Sequence, residues 1–581
     1  MCAKEVLENH RMRTLDQHHT SWTFGLLAAC VALPWLNPFA SSPSTAVIPL
    51  LLSWMLAACA LLLVVDMPLI KSPWPRRDRG WLVVMSVWLI ASLVWVPVVV
   101  DRALTAGLLA SLMCVWLMWA VGRRAALNER MLTWLIAAVV VAAMASSVLG
   151  ILQYLGLAKE MSPWVNQPLK GDAFANLRQR NQFASLTGLG LVALLGWALL
   201  CSKTKGLSTR ACCLIFVGLN LLAAGLACSV SRTGAIEWLL VSALMVWWLC
   251  RRTHGEVRQS LLMLVLAAPC LVVVWSTVMP WLSLQLTGEW GASLILRVAG
   301  QAQDYGICGS RRVLWANVLA LIAQHPWLGW GWGETDYAHF MTAYEGVRFC
   351  DMLDNAHDFP LHMALELGVP FAVIALVAIA TWVWRRRPWQ EIHAWRVMAW
   401  CWLLVLGLHS LLEYPLWYGP FQMTLGLALG LLWSVPQTSA ASDGHEKGHL
   451  DIYEQTQVAP MLVAAILFIG CLYAAWDFNR VGQIYRQAAS RDAAYRDNPL
   501  HHAKQSWLFK NQADFAELTT QTVTTDNAAE LYPQALRLMH YSPEARVVQR
   551  VIDSGKLLGH HEQAQLLVDR LEDIRLSQPN K

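Results

Sequence analysis

The sequence predicts an all-α polytopic membrane protein with about 12–13 transmembrane helices, and three observations predict it. Hydrophobic residues make up 56% of the 581 and charged residues 14%, against about 25% charged in a soluble globular chain. Apolar stretches of spanning length, roughly 17–25 residues, recur along most of the chain. Thirty-two tryptophans supply the amphipathic rings that collect at membrane–water interfaces.

The expected spans lie near 22–38, 46–65, 80–100, 103–121, 131–155, 182–201, 211–228, 234–250, 260–282, 359–384, 397–412, 419–435 and 457–476. Pro34 predicts a break in the first. The first 20 residues are polar and no cleavage site follows, so that span is expected to stay as a signal anchor. Basic residues fall in every second loop: Lys4, Arg11 and Arg13; Lys71, Arg76, Arg77 and Arg79; Arg123, Arg124 and Arg130; Lys203, Lys205 and Arg210; Arg251, Arg252 and Arg258; Arg385, Arg386, Arg387 and Arg396. The positive-inside rule puts these loops and the N-terminus in the cytoplasm. The connections near 39–45, 156–181, 229–233, 283–358 and 413–418, and the tail from about 477, then face outward.

The chain accordingly divides into N-terminal transmembrane helices (1–282), a large outward loop bearing the candidate catalytic residues (283–358), C-terminal transmembrane helices (359–476) and an outward helical tail (477–581). The tail is polar, with helical periodicity in "ELYPQALRLMHY" and "EQAQLLVDRLEDIRL" and breaks at Tyr541-Ser542-Pro543 and Gly559, which predicts a small α-hairpin domain.

Composition also excludes. The net charge of +5 is spread in short runs between apolar segments, a topology signal rather than a nucleic-acid footprint. No CxxC, HExxH or heptad array occurs, and "GWGWGET" (329–335) lacks the βαβ setting of a phosphate loop. Most of the 14 cysteines lie in or near apolar segments; Cys308 and Cys350 lie in the outward loop. In an oxidising compartment they are a disulfide candidate, worth about 3–4 kcal/mol in the chain-entropy model.

Outward arginines need a reason other than topology. They are Arg178 and Arg180 in "ANLRQRNQFA", Arg232 in "CSVSRTGA", Arg297, Arg311 and Arg312 in "GSRRVLW", and Arg348. Arg232 sits in a connection of about five residues between two apolar segments. It can simply snorkel to headgroups. It can also clamp an anion, because guanidinium binds phosphate oxygens bidentately and stays charged, with Gly234 and the flanking serines letting N–H groups approach at a helix start. Arg180, Asn181 and Gln182 open the sixth span, as ordinary capping or as a second wall of the same pocket.

"LDNAHDFPLHMALELGVP" (353–370) places Asn355, His357 and Asp358 before an apolar run carrying His362 and Glu366. A histidine near a helix start is often only a structural hydrogen-bonder. His357 also has polar neighbours to orient it, and imidazole works as acid or base near neutrality. Asp354, His357, Asp358, His362 and Glu366 match no zinc spacing, so no metal is expected. "LHSLLEYPLWYGPF" (408–421) puts Glu413, Tyr414 and Tyr418 in one tight turn, an aromatic belt with Trp417 or part of a polar pocket.

Four stretches, "LRQRNQFASLTGLG" (177–190), "CSVSRTGAIEW" (228–238), "RRVLWANVLALIAQHPWLGWGWGETDYAHF" (311–340) and "NAHDFPLHMALELGVP" (355–370), resemble the O-antigen ligase and polysaccharide polymerase superfamily. More narrowly, the chain resembles the protein O-oligosaccharyltransferases of the PglL and pilin-glycosylase type, a branch that "LEYPLWYGPF" (412–421) favours over the lipid A-core ligases. The resemblance covers roughly 150–435. It implies a multi-pass glycosyltransferase of the bacterial inner membrane, with its active site and tail in the periplasm. It implies transfer of a preassembled oligosaccharide from undecaprenyl diphosphate to a Ser or Thr hydroxyl of a periplasmic protein such as pilin, with no metal or other cofactor and no nucleic acid. The family's essential histidine falls on His357, its SxSRxG arginine on Arg232, a further loop arginine on Arg311 or Arg312, and its transferase tyrosine on Tyr414 or Tyr418.

The residue chemistry agrees with this. Displacing a diphosphate needs cations for the leaving charge, here Arg232, Arg311, Arg312 and Arg180. An alcohol is a weak nucleophile, so a positioned base helps. His357 is assigned that role, with diphosphate binding as its alternative and a carboxylate then acting as base. Asn355, Asp358, Glu366, Asn181, Gln182, Glu413, Tyr414 and Tyr418 are the expected supporting or acceptor pocket. Ligation to lipid A-core and glycan polymerisation share the donor and differ only in the acceptor. A lipid-linked glycan transporter is the reading from another class. It calls for polar residues at the midplane and internal repeats, whereas here the polar groups collect at one face.

Overall fold

The computed structural model describes residues 21–67, 69–70, 84, 87–88, 101–168, 173–202, 207–300, 307–434, 452–453 and 458–577. Apart from a two-residue antiparallel pairing of Leu69–Ile70 with Ile452–Tyr453, the described residues form helices and their connections. The membrane-type helices are α1 (Ser21–Leu36), α2 (Val47–Leu62), α3 (Arg102–Ala125), α4 (Glu129–Tyr154), α5 (Arg180–Cys201), α6 (Thr209–Ser229), α7 (Arg232–Arg252) and α8 (Gly255–Thr287). The short helices α9 (Leu294–Val298), α10 (Arg311–Gln324), α11 (Thr335–Met341) and α12 (Phe359–Leu367) follow. Then come α13 (Val369–Arg386), α14 (Ala394–Ser410), α15 (Gly419–Trp433) and α16 (Val458–Gly482), and the tail helices α17 (Pro499–Ala503), α18 (Lys510–Thr520), α19 (Ala528–Met539), α20 (Ala545–Leu557) and α21 (His561–Ser577).

The protein is an all-α polytopic membrane protein. Eight described helices are long and apolar enough to cross a bilayer: α3 to α8, α13 and α16. Helices α1, α2, α14 and α15 fall on four more expected spans but have only 16, 16, 17 and 15 residues, about 22–26 Å of helix. Pro34 lies inside α1 without ending it there. The expected span at 80–100 lies outside the described residues except Val84, Val87 and Trp88, which are helical. The span expected at 359–384 is two helices, because Gly368 adopts φ 90° between α12 and α13.

Helix starts follow local chemistry. The side chains of Asp101, Asn128, Ser208, Ser231, Ser310 and Asp358 each accept a backbone N–H of the first turn, satisfying donors that a helix leaves unpaired. Helix α5 is buried along most of its length, whereas α13 buries only Phe371, Ala372 and Ala375. Small residues permit the close approach: Gly190 lies against Ala143, Gly225 against Ser147, and Gly426 and Gly430 of α15 against the backbone of α3. Burial of α5 therefore fixes its N-terminus in the middle of one end of the bundle.

The tail holds five helices rather than one hairpin. The two periodic stretches form α19 and α21, with turns where Tyr541-Ser542-Pro543 and Gly559 stand. Its core of Leu518, Leu531, Leu538, Val547, Val551 and Leu567 also takes in Phe340 of α11. Helix α11 is thus docked on the tail, and the described structure joins Cys308 to Cys350 by a disulfide.

Candidate functional site: a carboxylate hub at the bundle end

The N-termini of α5, α7, α10 and α12 meet the turn between α14 and α15, and Glu413 in that turn is the hub. Its side chain is 6% exposed and its two oxygens take four donors. Asn181 Nδ2 donates to Oε1 at 2.8 Å, and the Arg311 guanidinium to the same oxygen. Gln179 Nε2 donates to Oε2 at 3.2 Å, and His357 Nδ1 lies 2.7 Å from that oxygen. Burial pushes the Glu413 carboxyl up, but the His357 hydrogen bond and the charges of His357, Arg311 and His409 hold it below its usual range. An ionised carboxylate only accepts, so Nδ1 carries the hydrogen, and whenever the ring holds a single proton its lone pair is at Nε2.

His357 is held by more than this pair. Its backbone is left-handed, φ 51°, a conformation that costs a non-glycine residue about 1–2 kcal/mol. The neighbours impose it: His357 N–H donates to Asn355 Oδ1 at 2.9 Å, Trp315 Nε1 donates to Ala356 O at 3.1 Å, and Asp358 caps α12 through Leu361 N–H. Helix α10 therefore supplies Arg311 and, one turn on, the indole that pins the turn before His357. Tyr414 packs edge-on against the imidazole, centroids 5.0 Å apart, and stacks with Tyr418 at 6.0 Å. Gln182 is fully buried and lies against Tyr418.

The arginines expected to face outward sort into two kinds. Arg178, Arg297 and Arg348 hold carbonyls: Arg178 that of Pro38, Arg297 that of Val230, Arg348 those of Thr342 and His339. Val230 is itself left-handed, so Arg297 secures the turn that precedes Arg232. Arg232, Arg180, Arg311 and Arg312 stand at the first turns of α7, α5 and α10, with Arg232 and Arg312 exposed. Ser231, the cap of α7, donates to Asn181 Oδ1 at 2.7 Å, so the N-termini of α5 and α7 are tied to each other and, through Asn181, to Glu413.

Of the residues read from the sequence, His357, Glu413, Arg311, Asn181, Asn355, Tyr414, Tyr418 and Gln182 are linked through these contacts. Glu366 is elsewhere: it accepts from Thr335 Oγ1 at 2.7 Å and lies 3.6 Å from His362 Nε2. Asp358 caps a helix. Among the described residues no three His, Cys, Asp or Glu side chains form a metal-type group. The sequence reading missed Gln179, Thr335 and His409. An isolated His409 in an apolar segment, four residues before Glu413, was the available signal for the last.

This geometry defines a polytopic membrane protein that gathers an oriented imidazole, a buried carboxylate and helix-start arginines at one end of its bundle. Comparisons with known proteins extend it. A family described as virulence factor membrane-bound polymerase, C-terminal, matches residues 397–574. O-Antigen ligase matches 217–376 and protein glycosylation ligase 173–199. The general O-oligosaccharyltransferase of Acinetobacter baylyi is 24% identical over 430 residues, 72% of this chain and 71% of that protein. These matches support a glycosyltransferase of the PglL protein glycosylation ligase type, similar to the O-antigen ligases.

Proposed function

We propose that the protein transfers a preassembled oligosaccharide en bloc from undecaprenyl diphosphate to Ser or Thr hydroxyls of periplasmic proteins such as pilin. In this reading the chain lies in the bacterial inner membrane with its N-terminus cytoplasmic. Segments 1–282 and 359–476 hold the spans, and the 283–358 loop and the 477–581 tail are periplasmic. The observation that carries the proposal is the His357–Glu413–Arg311 contact at the bundle end.

Each group has a part. The acceptor hydroxyl oxygen attacks the anomeric carbon while its proton passes to His357 Nε2. Glu413, anionic and hydrogen-bonded to Nδ1, stabilises the imidazolium. Glu413 itself is a poor base, since four donors already occupy its oxygens. The bond from the anomeric carbon to the phosphate oxygen breaks and undecaprenyl diphosphate leaves, its charge met by Arg311, Arg232, Arg180 and Arg312. One displacement inverts the anomeric centre. Nothing in these steps calls for a metal.

The test uses purified wild type and His357→Ala with an undecaprenyl-diphosphate-linked oligosaccharide, pilin and EDTA, followed by intact pilin mass. One added glycan mass with wild type and none with the variant is expected. Equal modification by both removes His357 from the mechanism. The polymerase-type match over 397–574 favours glycan acceptors as the second reading. Lipid A-core and a second lipid-linked glycan are therefore run beside pilin, and transfer to either in place of pilin overturns the protein-acceptor reading.

A further inference from the structure

A groove of about 450 Å³ lies at the junction of the 324–330 turn, α11 and the tail. Trp327, 73% exposed, stands over it. Trp330 packs edge-on with His325, and Tyr337 stacks on His540 of the tail, centroids 3.8 Å apart. His540 Nδ1 also lies 2.7 Å from Glu334 Oε2. The tail therefore completes one wall, and the acid on that wall is already paired.

The groove is attached to the site through α12. Trp330 N–H donates to Leu365 O and Gly331 N–H to Glu366 O, and Val369 N–H donates to Pro326 O. Thr335, next to Glu334, holds the Glu366 carboxylate. The groove floor thus rests on the C-terminal end of α12, and His357 precedes its N-terminal end. The ten residue steps from Asp358 to Gly368 span about 15 Å, a distance that a few linked sugar rings cover.

We propose that this groove is a subsite for the distal sugars of the oligosaccharide donor. The inference rests on the transfer reading given under Proposed function. Three features select a glycan. Aromatic planes offer broad apolar faces with polar edges, and the exposed Gln324 and His325 add hydrogen-bonding groups beside them. The paired Glu334 leaves the lining without an unmatched charge, which suits a neutral polyhydroxylated chain better than a charged peptide. En bloc transfer also obliges the glycan to extend away from the anomeric carbon, so it needs a path of about this length.

The experiment uses the full chain in nanodiscs, with wild type, Trp327→Ala and Gln324→Ala. Saturation-transfer NMR with the free oligosaccharide, carrying neither lipid nor diphosphate, reads binding without turnover. Saturation of the distal sugars in wild type and its loss in Trp327→Ala are expected. In transfer assays, Trp327→Ala raises KM for the long-glycan donor by roughly 10-fold. Its kcat, its KM for the acceptor protein and its KM for a single-sugar donor stay unchanged. Gln324→Ala, at an exposed position, shifts KM in the same direction and guards against a folding artefact. A rise in acceptor KM instead makes the groove a polypeptide seat and overturns the proposal. Unchanged long-donor KM in both variants overturns it too, leaving the indole as a headgroup anchor. A wild type that saturates the free glycan but transfers nothing sinks the transfer reading and leaves the binding site standing.

Discussion

Glu413 Oε2 lies 2.7 Å from His357 Nδ1, across 56 residues of sequence. Because Asn181, Gln179 and Arg311 share the same carboxylate, the imidazole is oriented by a buried anion that is itself fixed by the starts of two helices, α5 and α10. The pair resembles the base-and-orienter arrangement in which a carboxylate holds the tautomer and stabilises the protonated ring.

The first prediction is non-additivity. His357→Ala and Glu413→Gln are each expected to lower the transfer rate by roughly 10²–10⁴-fold. The double variant is expected to be no slower than the worse single one, because the two side chains act as a unit. Initial rates of glycan transfer for the four proteins check this. Losses that multiply in the double variant would show two independent roles.

A second prediction follows from the depressed titration of Glu413. Its unfolded carboxyl titrates near 4.5 and its folded carboxyl lower. The stabilisation from its partners is therefore fully present above about 4.5 and lost as pH falls through the folded value. The melting temperature of wild type should exceed that of Glu413→Gln at pH 7, and the gap should close on acidification below 4.5. A gap that widens with acid reverses the sign and contradicts the assignment.

The spans were legible because a bilayer demands long apolar helices, and the caps because Ser, Asp and Asn leave a local mark. His357, Arg232 and Arg311 stood out as polar groups where apolar residues are the rule. What the sequence concealed was pairing. Nothing local tells that Glu413 meets His357, or that Glu366, nine residues after His357, turns instead to Thr335. That choice is made by the α12 helix, whose far end faces the 329–335 turn. His409 illustrates the same limit: its place one turn below Glu413 matters only once the carboxylate is seen to be the hub.

Cys308 and Cys350 offer a third prediction. The disulfide joins residues 42 apart, and Arg311 begins α10 three residues after Cys308. Cys308→Ser is expected to lower stability by about 3–4 kcal/mol and to raise donor KM by loosening Arg311. Melting curves and transfer kinetics, with and without reductant, check this. Wild-type kinetics that do not change on reduction would separate the disulfide from the site.

Gly368 carries the last prediction. It has φ 90°, and a Cβ there would run into the Trp327 carbonyl. Gly329, φ 72°, is the reciprocal contact, with its added Cβ against the Glu366 backbone. The two glycines let the 325–331 turn lie flush on the end of α12, which is how "GWGWGET" serves as packing rather than as a phosphate cradle. Gly368→Ala therefore meets both a disfavoured backbone and a backbone clash, together about 2–4 kcal/mol. Displacement of α12 should carry His357 away from Glu413, so the variant should lose transfer activity as well as melting temperature. Gly470, in α16 with open space around it, serves as the control: Gly470→Ala should leave both quantities near wild type. A Gly368→Ala protein that melts early yet transfers at the wild-type rate would show that the packing of α12 and the geometry of His357 are independent.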